Sequence, residues 1–288
     1  MALLHLLLEA GFRNLIVCHL DHQLRGRAST LDGEFVLRLC GKLGMPYESG
    51  RINVRKRMAA TGESMETAAR NARHEFFAQC AIKNRCRRIL LAHHADDQAE
   101  TILWNLLRGS HGLKGMRGEQ QISMNGTRML VVRPLLGMRH AQLVDWLTRR
   151  GLAWCEDASN REPVTIRNRL RNEVFPLLND VSGRDPVAAL VRAAADNAAR
   201  EELETSWIQN INSRDPQGRL HLPVLRELPE AIQRAVLRNY LTENGVPRID
   251  RALLDASLGL IETCNPASIN LPGGQRLRRS GGRLWIDG

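Results

Sequence analysis

Aromatic side chains are scarce in these 288 residues, with Phe, Trp and Tyr together making up 4%. A chain so poor in rings has few platforms for stacking bases, so a nucleic-acid partner would be held mainly through its phosphates. The six cysteines (Cys18, Cys40, Cys80, Cys86, Cys155 and Cys264) include no Cys-x-x-Cys pair, which argues against a zinc ribbon or a redox couple. Long apolar runs are missing too. The stretch Met1 to Leu8 is too short to span a bilayer and lacks a charged leader and a cleavage pattern. The expectation is a protein of the reducing cytoplasm with no membrane partner. Internal repeats and low-complexity tracts are also lacking.

What is abundant is positive charge. Lys and Arg number 41 against 31 Asp and Glu, a formal net charge of +10, which favours a polyanionic partner, nucleic acid above all. In the first half, strand and helix patterns alternate, the signature of a parallel sheet with crossover helices. Strands are expected at Leu15 to Leu20, Tyr47 to Val54, Arg88 to Ala92 and Met129 to Arg133. Helices are expected at Met1 to Ala10, Thr30 to Gly44, Ser64 to Lys83, Asp97 to Leu107, His140 to Arg150 and Ile166 to Leu178. After Pro186 only helices follow, until a tail of short strands turns at Gly273-Gly274 and Gly281-Gly282. Ser182, Gly183 and Asp185 cluster ahead of a proline and mark a boundary. Residues 1–183 then form an α/β domain, and 184–288 a smaller, mainly helical one.

The densest chemistry lies in Leu91-Ala-His-His-Ala-Asp-Asp-Gln-Ala-Glu-Thr101, where a strand should end and a helix begin. Ligands of open α/β sheets gather outside the carboxyl ends of the strands. Helical spacing puts Asp97, Glu100 and Thr101 on one face, with Trp104 continuing the stripe. Two imidazoles and two carboxylates placed there can position an amine, a metal ion or a phosphate. The plain alternative is a helix cap, because acidic first turns satisfy free amides. His19-Leu-Asp-His22 likewise follows an apolar strand, and a polar strand end is its ordinary reading. Arg108-Gly-Ser-His-Gly-Leu-Lys-Gly115 is either a connector or a phosphate-contacting loop. Arg167, Arg169 and Arg171 cannot all share one helical face.

Six segments together resemble the tRNA(Ile)-lysidine synthetases of the ATP-pyrophosphatase (PP-loop) superfamily. They are His19-Leu-Asp-His-Gln-Leu-Arg25, Glu63-Ser-Met-Glu-Thr-Ala-Ala-Arg-Asn-Ala-Arg73, His93-His-Ala-Asp-Asp-Gln-Ala-Glu-Thr101, Arg133-Pro-Leu-Leu136, Glu156-Asp-Ala-Ser-Asn160 and Arg167-Asn-Arg-Leu-Arg-Asn-Glu-Val-Phe-Pro176. They occur in the family's order over nearly the whole chain. The resemblance implies a PP-loop fold and ligation of free L-lysine to the wobble cytidine of a minor isoleucine tRNA with a CAU anticodon, at the expense of ATP and with Mg2+. It implies that Asp97 and Glu100 hold the lysine, and that His93 or His94 meets the α-phosphate or takes a proton. His19, Asp21 and Arg25 would line the nucleotide pocket, with Arg70 and Arg73 reaching toward the phosphates. Arg167 would face lysine or ATP, while Arg108, Lys114, Arg169 and Arg171 would meet the tRNA. The helical domain would help select the tRNA; metal ligands and a homodimer are left open.

One departure stands out. The family's Ser-Gly-Gly-x-Asp-Ser loop, whose backbone amides grip ATP phosphates, occurs nowhere in the 288 residues. Met1 to Gly11 reads as the helix that follows that loop. The expectation is therefore a PP-loop domain without its first strand, either because the start is placed late or because the phosphate grip is lost. The first case leaves a ligase shown without its N-terminus; the second leaves a catalytically inactive tRNA-binding remnant.

Overall fold

The computed structural model describes residues 1–24, 26–110, 112–155, 165–263 and 266–287, with residue 27 described by its backbone alone. The chain divides into two compact units, residues 1–108 with 115–192, and residues 109–114 with 193–288. The first is α/β. Its strands are β1 (Val17–Asp21), β2 (Tyr47–Arg51), β3 (Arg88–Leu90), β4 (Glu119–Met124) and β5 (Thr127–Val132). β1 and β2 pair in parallel with Val17 opposite Tyr47, while β3 pairs in parallel with β5 in a separate three-stranded sheet of order β3-β5-β4. The parallel sheet expected from the alternating pattern is present. β4 is an addition: its Glu-Gln-Gln-Ile-Ser-Met sequence is a half-exposed edge strand with no apolar run to betray it. It folds back on β5 through Asn125 and Gly126, both at positive φ, as two-residue hairpin turns require.

Seven α-helices come first among the described residues: α1 (Ala2–Glu9), α2 (Arg27–Leu43), α3 (Val54–Thr61), α4 (Met65–Lys83), α5 (Ala95–Leu107), α6 (His140–Arg149) and α7 (Ile166–Arg169). α4 is the common roof of the two sheets. Its buried Phe76, Phe77, Ala78, Cys80 and Ala81 pack with Cys18 and Leu20 of β1, with Ile89 of β3 and with Met129 of β5. Gly50 of β2 lies under it, since a Cβ there would stand 2.9 Å from the Phe76 ring. A second cluster joins α1 to α6 through Ala2, Leu135, Leu143 and Leu147.

The helix expected over Ile166 to Leu178 runs on through Pro176. A π-helical turn, Leu170–Val174, links α7 to α8 (Phe175–Ser182). The wide turn lies just ahead of the proline, whose missing N–H and bulky ring an ordinary α-turn tolerates poorly. Leu170 and Phe175 from this stretch pack on Ala95 and Ala99 of α5 and on Val187 of α9 (Pro186–Asn210).

The second unit holds β6 (Leu220–His221), α10 (Leu222–Arg226), α11 (Glu230–Glu243), α12 (Arg251–Glu262), β7 (Ser268–Asn270), β8 (Arg276–Ser280) and β9 (Arg283–Asp287). The strands form an antiparallel sheet of order β6-β9-β8-β7. Leu222, Leu225, Leu237, Leu241, Leu260, Ile261, Leu277 and Leu284 form its core. The tail arginines are largely engaged at home: Arg278 pairs with Asp287 at 2.9 Å, Arg283 with Asp215 at 3.2 Å, and Arg279 donates to the Thr263 carbonyl.

Candidate functional site

Helix α5 starts immediately beyond β3, and its first turn assigns different work to its two adjacent aspartates. His94 is the N-cap. Its amide donates to Asp97 Oδ2 at 3.0 Å, and the Asp97 amide donates back to His94 Nδ1 at 3.4 Å. Asp96 points elsewhere, accepting from the His140 amide at 2.7 Å and from Arg139 Nε at 3.0 Å, so it caps α6. Burial works against its ionisation, but the hydrogen bonds from His94, the His140 amide and Arg139 outweigh it and hold the carboxyl well below the usual carboxylate range. The capping alternative thus describes Asp96 fully and Asp97 in part.

The remaining oxygen of Asp97 meets Arg171, which also binds Glu100, one helical turn on. Glu100 is 3% exposed. Arg171, from the π-helical turn, donates through Nε to Glu100 Oε1 at 2.7 Å and through Nη2 to Asp97 Oδ1 at 3.1 Å. Burial raises the Glu100 carboxyl's pKa, with Arg171 opposing. Arg171, read from sequence as a tRNA-backbone contact, is instead turned inward, because the π turn aims it at α5. Its two neighbours diverge: Arg167 pairs with Glu66 at 2.9 Å, and Arg169 with Glu173 at 3.0 Å on the surface.

Beside the carboxylates lies a group of cations poorly balanced by acids. Arg73, on α4, is depressed in pKa by burial and by Arg70, Arg167 and Arg133, with Glu66 opposing. Arg133, at the end of β5, is 7% exposed and donates to the Arg117 carbonyl at 2.8 Å. Burial, reinforced by Arg133, Arg73 and Arg167 against the pull of Asp97, lowers His93 to about 4, so its imidazole is neutral at pH 7. The Nε atoms of Arg73 and Arg133 and Nδ1 of His22 and His93 are buried without hydrogen-bond partners. Each such group costs about 1–3 kcal/mol, and a polyanion placed among them would satisfy several together. Arg133 was not singled out as a site residue from sequence, although it opens one of the six resembling segments and closes an apolar strand ahead of Pro134.

His19 and Asp21 share the opposite face of β1 from Cys18 and Leu20. They line a hollow of about 390 Å³ with Ser29, Gly33, Tyr47 and Arg51. His19 Nε2 is buried there without a partner, and Asp21 Oδ1 accepts from the Gln23 amide at 2.8 Å. Arg25 and the Glu156-Asp-Ala-Ser-Asn160 segment lie outside the described residues. Arg108 is exposed, its guanidinium 5.7 Å from the Trp104 ring centroid; Lys114 is exposed and belongs to the second unit. Among the described residues no group of three or more His, Cys, Asp or Glu side chains is arranged to hold a metal ion. No helix among them is long and apolar enough to cross a membrane.

Residues 1–178 match the PP-loop domain family. The chain belongs to that family. Residues 220–285 also match the TilS substrate binding domain. The PP-loop match runs from α1 into α8 and so takes in the whole carboxylate and cation constellation. Among similar proteins, a tRNA(Ile)-lysidine synthase of Thermus thermophilus is 38% identical over 99% of this chain and 54% of its own length. One from Geobacter sulfurreducens is 33% identical over 90% of this chain and 56% of its own. One from Chlorobaculum tepidum is 29% identical over 95% of this chain and 82% of its own. The chain thus spans about half the length of the first two. A solved U34-tRNA thiolase, NcsA from Methanococcus maripaludis, matches with a TM-score of 0.52 at 15% identity, covering 68% of this chain and 67% of that one. That likeness bears on the fold alone.

Proposed function

We propose that this PP-loop protein joins free L-lysine to the wobble cytidine of a CAU-anticodon isoleucine tRNA in the cytoplasm, using ATP. The observation that carries the reading is the adjacency of a carboxylate pair, half-buried Asp97 and buried Glu100, to buried Arg133 and half-buried Arg73 and His93. An amino acid with two ammonium groups suits the first, and a polyphosphate suits the second. The relatives named tRNA(Ile)-lysidine synthase and the substrate-binding match over residues 220–285 support the same assignment.

ATP supplies activation: the cytosine 2-oxygen takes the adenylyl group as pyrophosphate departs, which turns a poor leaving group into AMP. The protein's own part is positioning. Asp97 and Glu100 orient the lysine ammonium groups, and neutral His93 presents an imidazole nitrogen that can accept a proton from the attacking amine. Arg73 and Arg133, with Arg70 and Arg167 nearby, offset charge on the phosphates. His19 and Asp21 line the hollow assigned to adenine and ribose. Mg2+, implied by the resemblance, finds no side-chain cluster of its own among the described residues, and no step is routed through it.

Two parallel strands, β1 and β3, each have an unpaired edge among the described residues and share the cover of α4. A second reading, prompted by the absence of Ser-Gly-Gly-x-Asp-Ser from the 288 residues, is a tRNA-binding remnant without catalysis. The test is lysine- and tRNA-dependent AMP release, measured for this chain and for one extended by the in-frame codons upstream of Met1. Release by either supports the ligase. tRNA binding by both with no AMP release would leave the remnant.

A further inference from the structure

Four arginines gather at the end of the sheet opposite the candidate site. Arg88 opens β3 and Arg128 stands second in β5, while the carboxyl ends of these strands lead to His93 and Arg133. Ile89 and Met129 pack beneath α4, so alternation turns Arg88 and Arg128 to the other face of the sheet. Arg88 pairs with Leu130, which sets the two arginines two positions apart on neighbouring strands. Gln121 and Ser123 of β4 pair with Leu130 and Arg128, share that face, and are exposed. Arg85 and Arg87 occupy the turn that leads into β3, and all four arginines are exposed.

Among the described residues no carboxylate pairs with any of the four. Glu48, which reaches the same turn, is taken by Lys83 at 2.8 Å and by Asn84 at 3.3 Å. Glu119, the one acid of β4, stands at the far end of that strand, opposite Val132. Arg85 is held at a φ of 51°, a left-handed conformation in which glycine costs less. The fold alone gains nothing from an arginine there. We propose that this face binds the phosphate backbone of a nucleic acid, at a place separate from the one that receives the reacting base. Arginine forks match pairs of phosphate oxygens, and the flanking amide and hydroxyl can hydrogen-bond sugar or phosphate. At the usual strand rise, Arg128 and Arg133 stand roughly 17 Å apart, so no single phosphate touches both. The proposal does not depend on the lysine and ATP reading.

The probe is a short fluorescent RNA hairpin without the isoleucine anticodon, its affinity read by anisotropy between about 50 and 200 mM salt. Arg88→Gln with Arg128→Gln should weaken binding about tenfold or more and lower the slope of log affinity against log salt by about two. Arg38→Gln with Arg149→Gln removes the same charge from exposed helix positions and should change little. Arg85→Gly should bind RNA more weakly yet unfold at higher urea, a split that a purely structural arginine would not give. If the Arg88 and Arg128 pair does not fold, Arg85→Gln with Arg87→Gln carries the same test. A DNA duplex bound as well as the hairpin assigns the contact to phosphates in general; preference for RNA assigns part of it to the 2′-hydroxyl. Hairpin displaced by saturating CAU-anticodon tRNA means that one tRNA covers both places; hairpin and tRNA bound together mean a second molecule. Equal losses in the patch and control pairs overturn the proposal. So does a wild-type protein that binds no hairpin, or one that binds phosphatidylglycerol vesicles in place of nucleic acid.

Discussion

The Gln98 side chain closes on the backbone of Met116 with both ends of its amide, Nε2 donating to the carbonyl at 2.9 Å and Oε1 accepting from the amide at 2.7 Å. Gly115 makes room for it, since a Cβ there would lie 2.5 Å from Gln98 Nε2. The signature helix is thus tied to the chain that leads into β4. Gly115→Ala should lower stability by about 1–2 kcal/mol through loss of this clasp, and Gln98→Ala by a similar amount. Urea unfolding of the double variant should show much less than the sum, because both changes break the same pair of bonds.

Asp96 and its donors tie α5 to α6. Its carboxyl is held below the ordinary range, so the unfolded chain takes the proton first. The stabilisation is then complete above the unfolded pKa of about 3.9 and fades as pH falls toward the folded value. Asp96→Asn should cost about 1–3 kcal/mol at pH 7 and flatten the pH dependence of stability below about pH 4. Thermal melts between pH 2 and 7 would check this; parallel curves for the two proteins would refute it.

His93 predicts a separate window. Its pKa in the folded protein, about 4, lies below the unfolded value of about 6.5, so its contribution to stability is present above about pH 6.5 and lost as pH falls toward the folded value. An anion bound among Arg73 and Arg133 should offset those charges and raise His93. The His93 ring-proton resonance, titrated with and without inorganic triphosphate, should show a higher midpoint with it. An unmoved midpoint would place the anion elsewhere.

Gly50 is required by contact rather than by backbone angle. A methyl group there would meet Phe76 at 2.9 Å and Leu20 at 3.1 Å, both in the cluster under α4. Gly50→Ala should cost about 1–3 kcal/mol by overpacking. Gly41→Ala is the comparison, since a Cβ at that position meets nothing within 4 Å, and it should not destabilise.

Much of this was legible in the sequence because it rests on local pattern. The strand-to-helix junction at Leu91 to Thr101 was visible from an apolar run meeting an acidic turn. The pairing of Glu100 with Asp97 on one face followed from helical period alone. What escaped notice depended on contacts distant in sequence. The inward turn of Arg171 needs a π turn, which no spacing rule announces. The role of Arg133 needs Arg73 brought beside it from a helix some sixty positions earlier. α3 was hidden because Val54-Arg-Lys-Arg has no apolar stripe; Asn53 caps it, accepting from the Lys56 amide at 2.9 Å, while Arg57 binds Glu75 at 2.7 Å.

The cations gathered around Arg73 repel one another, and their buried nitrogens go unanswered in the protein alone. A phosphate-rich ligand relieves both costs, so the folded chain is at its least stable when idle. On the proposed reading, supply of that ligand would govern more than turnover: by mass action it would set the fraction of molecules unfolded at any moment, and with it exposure to proteases.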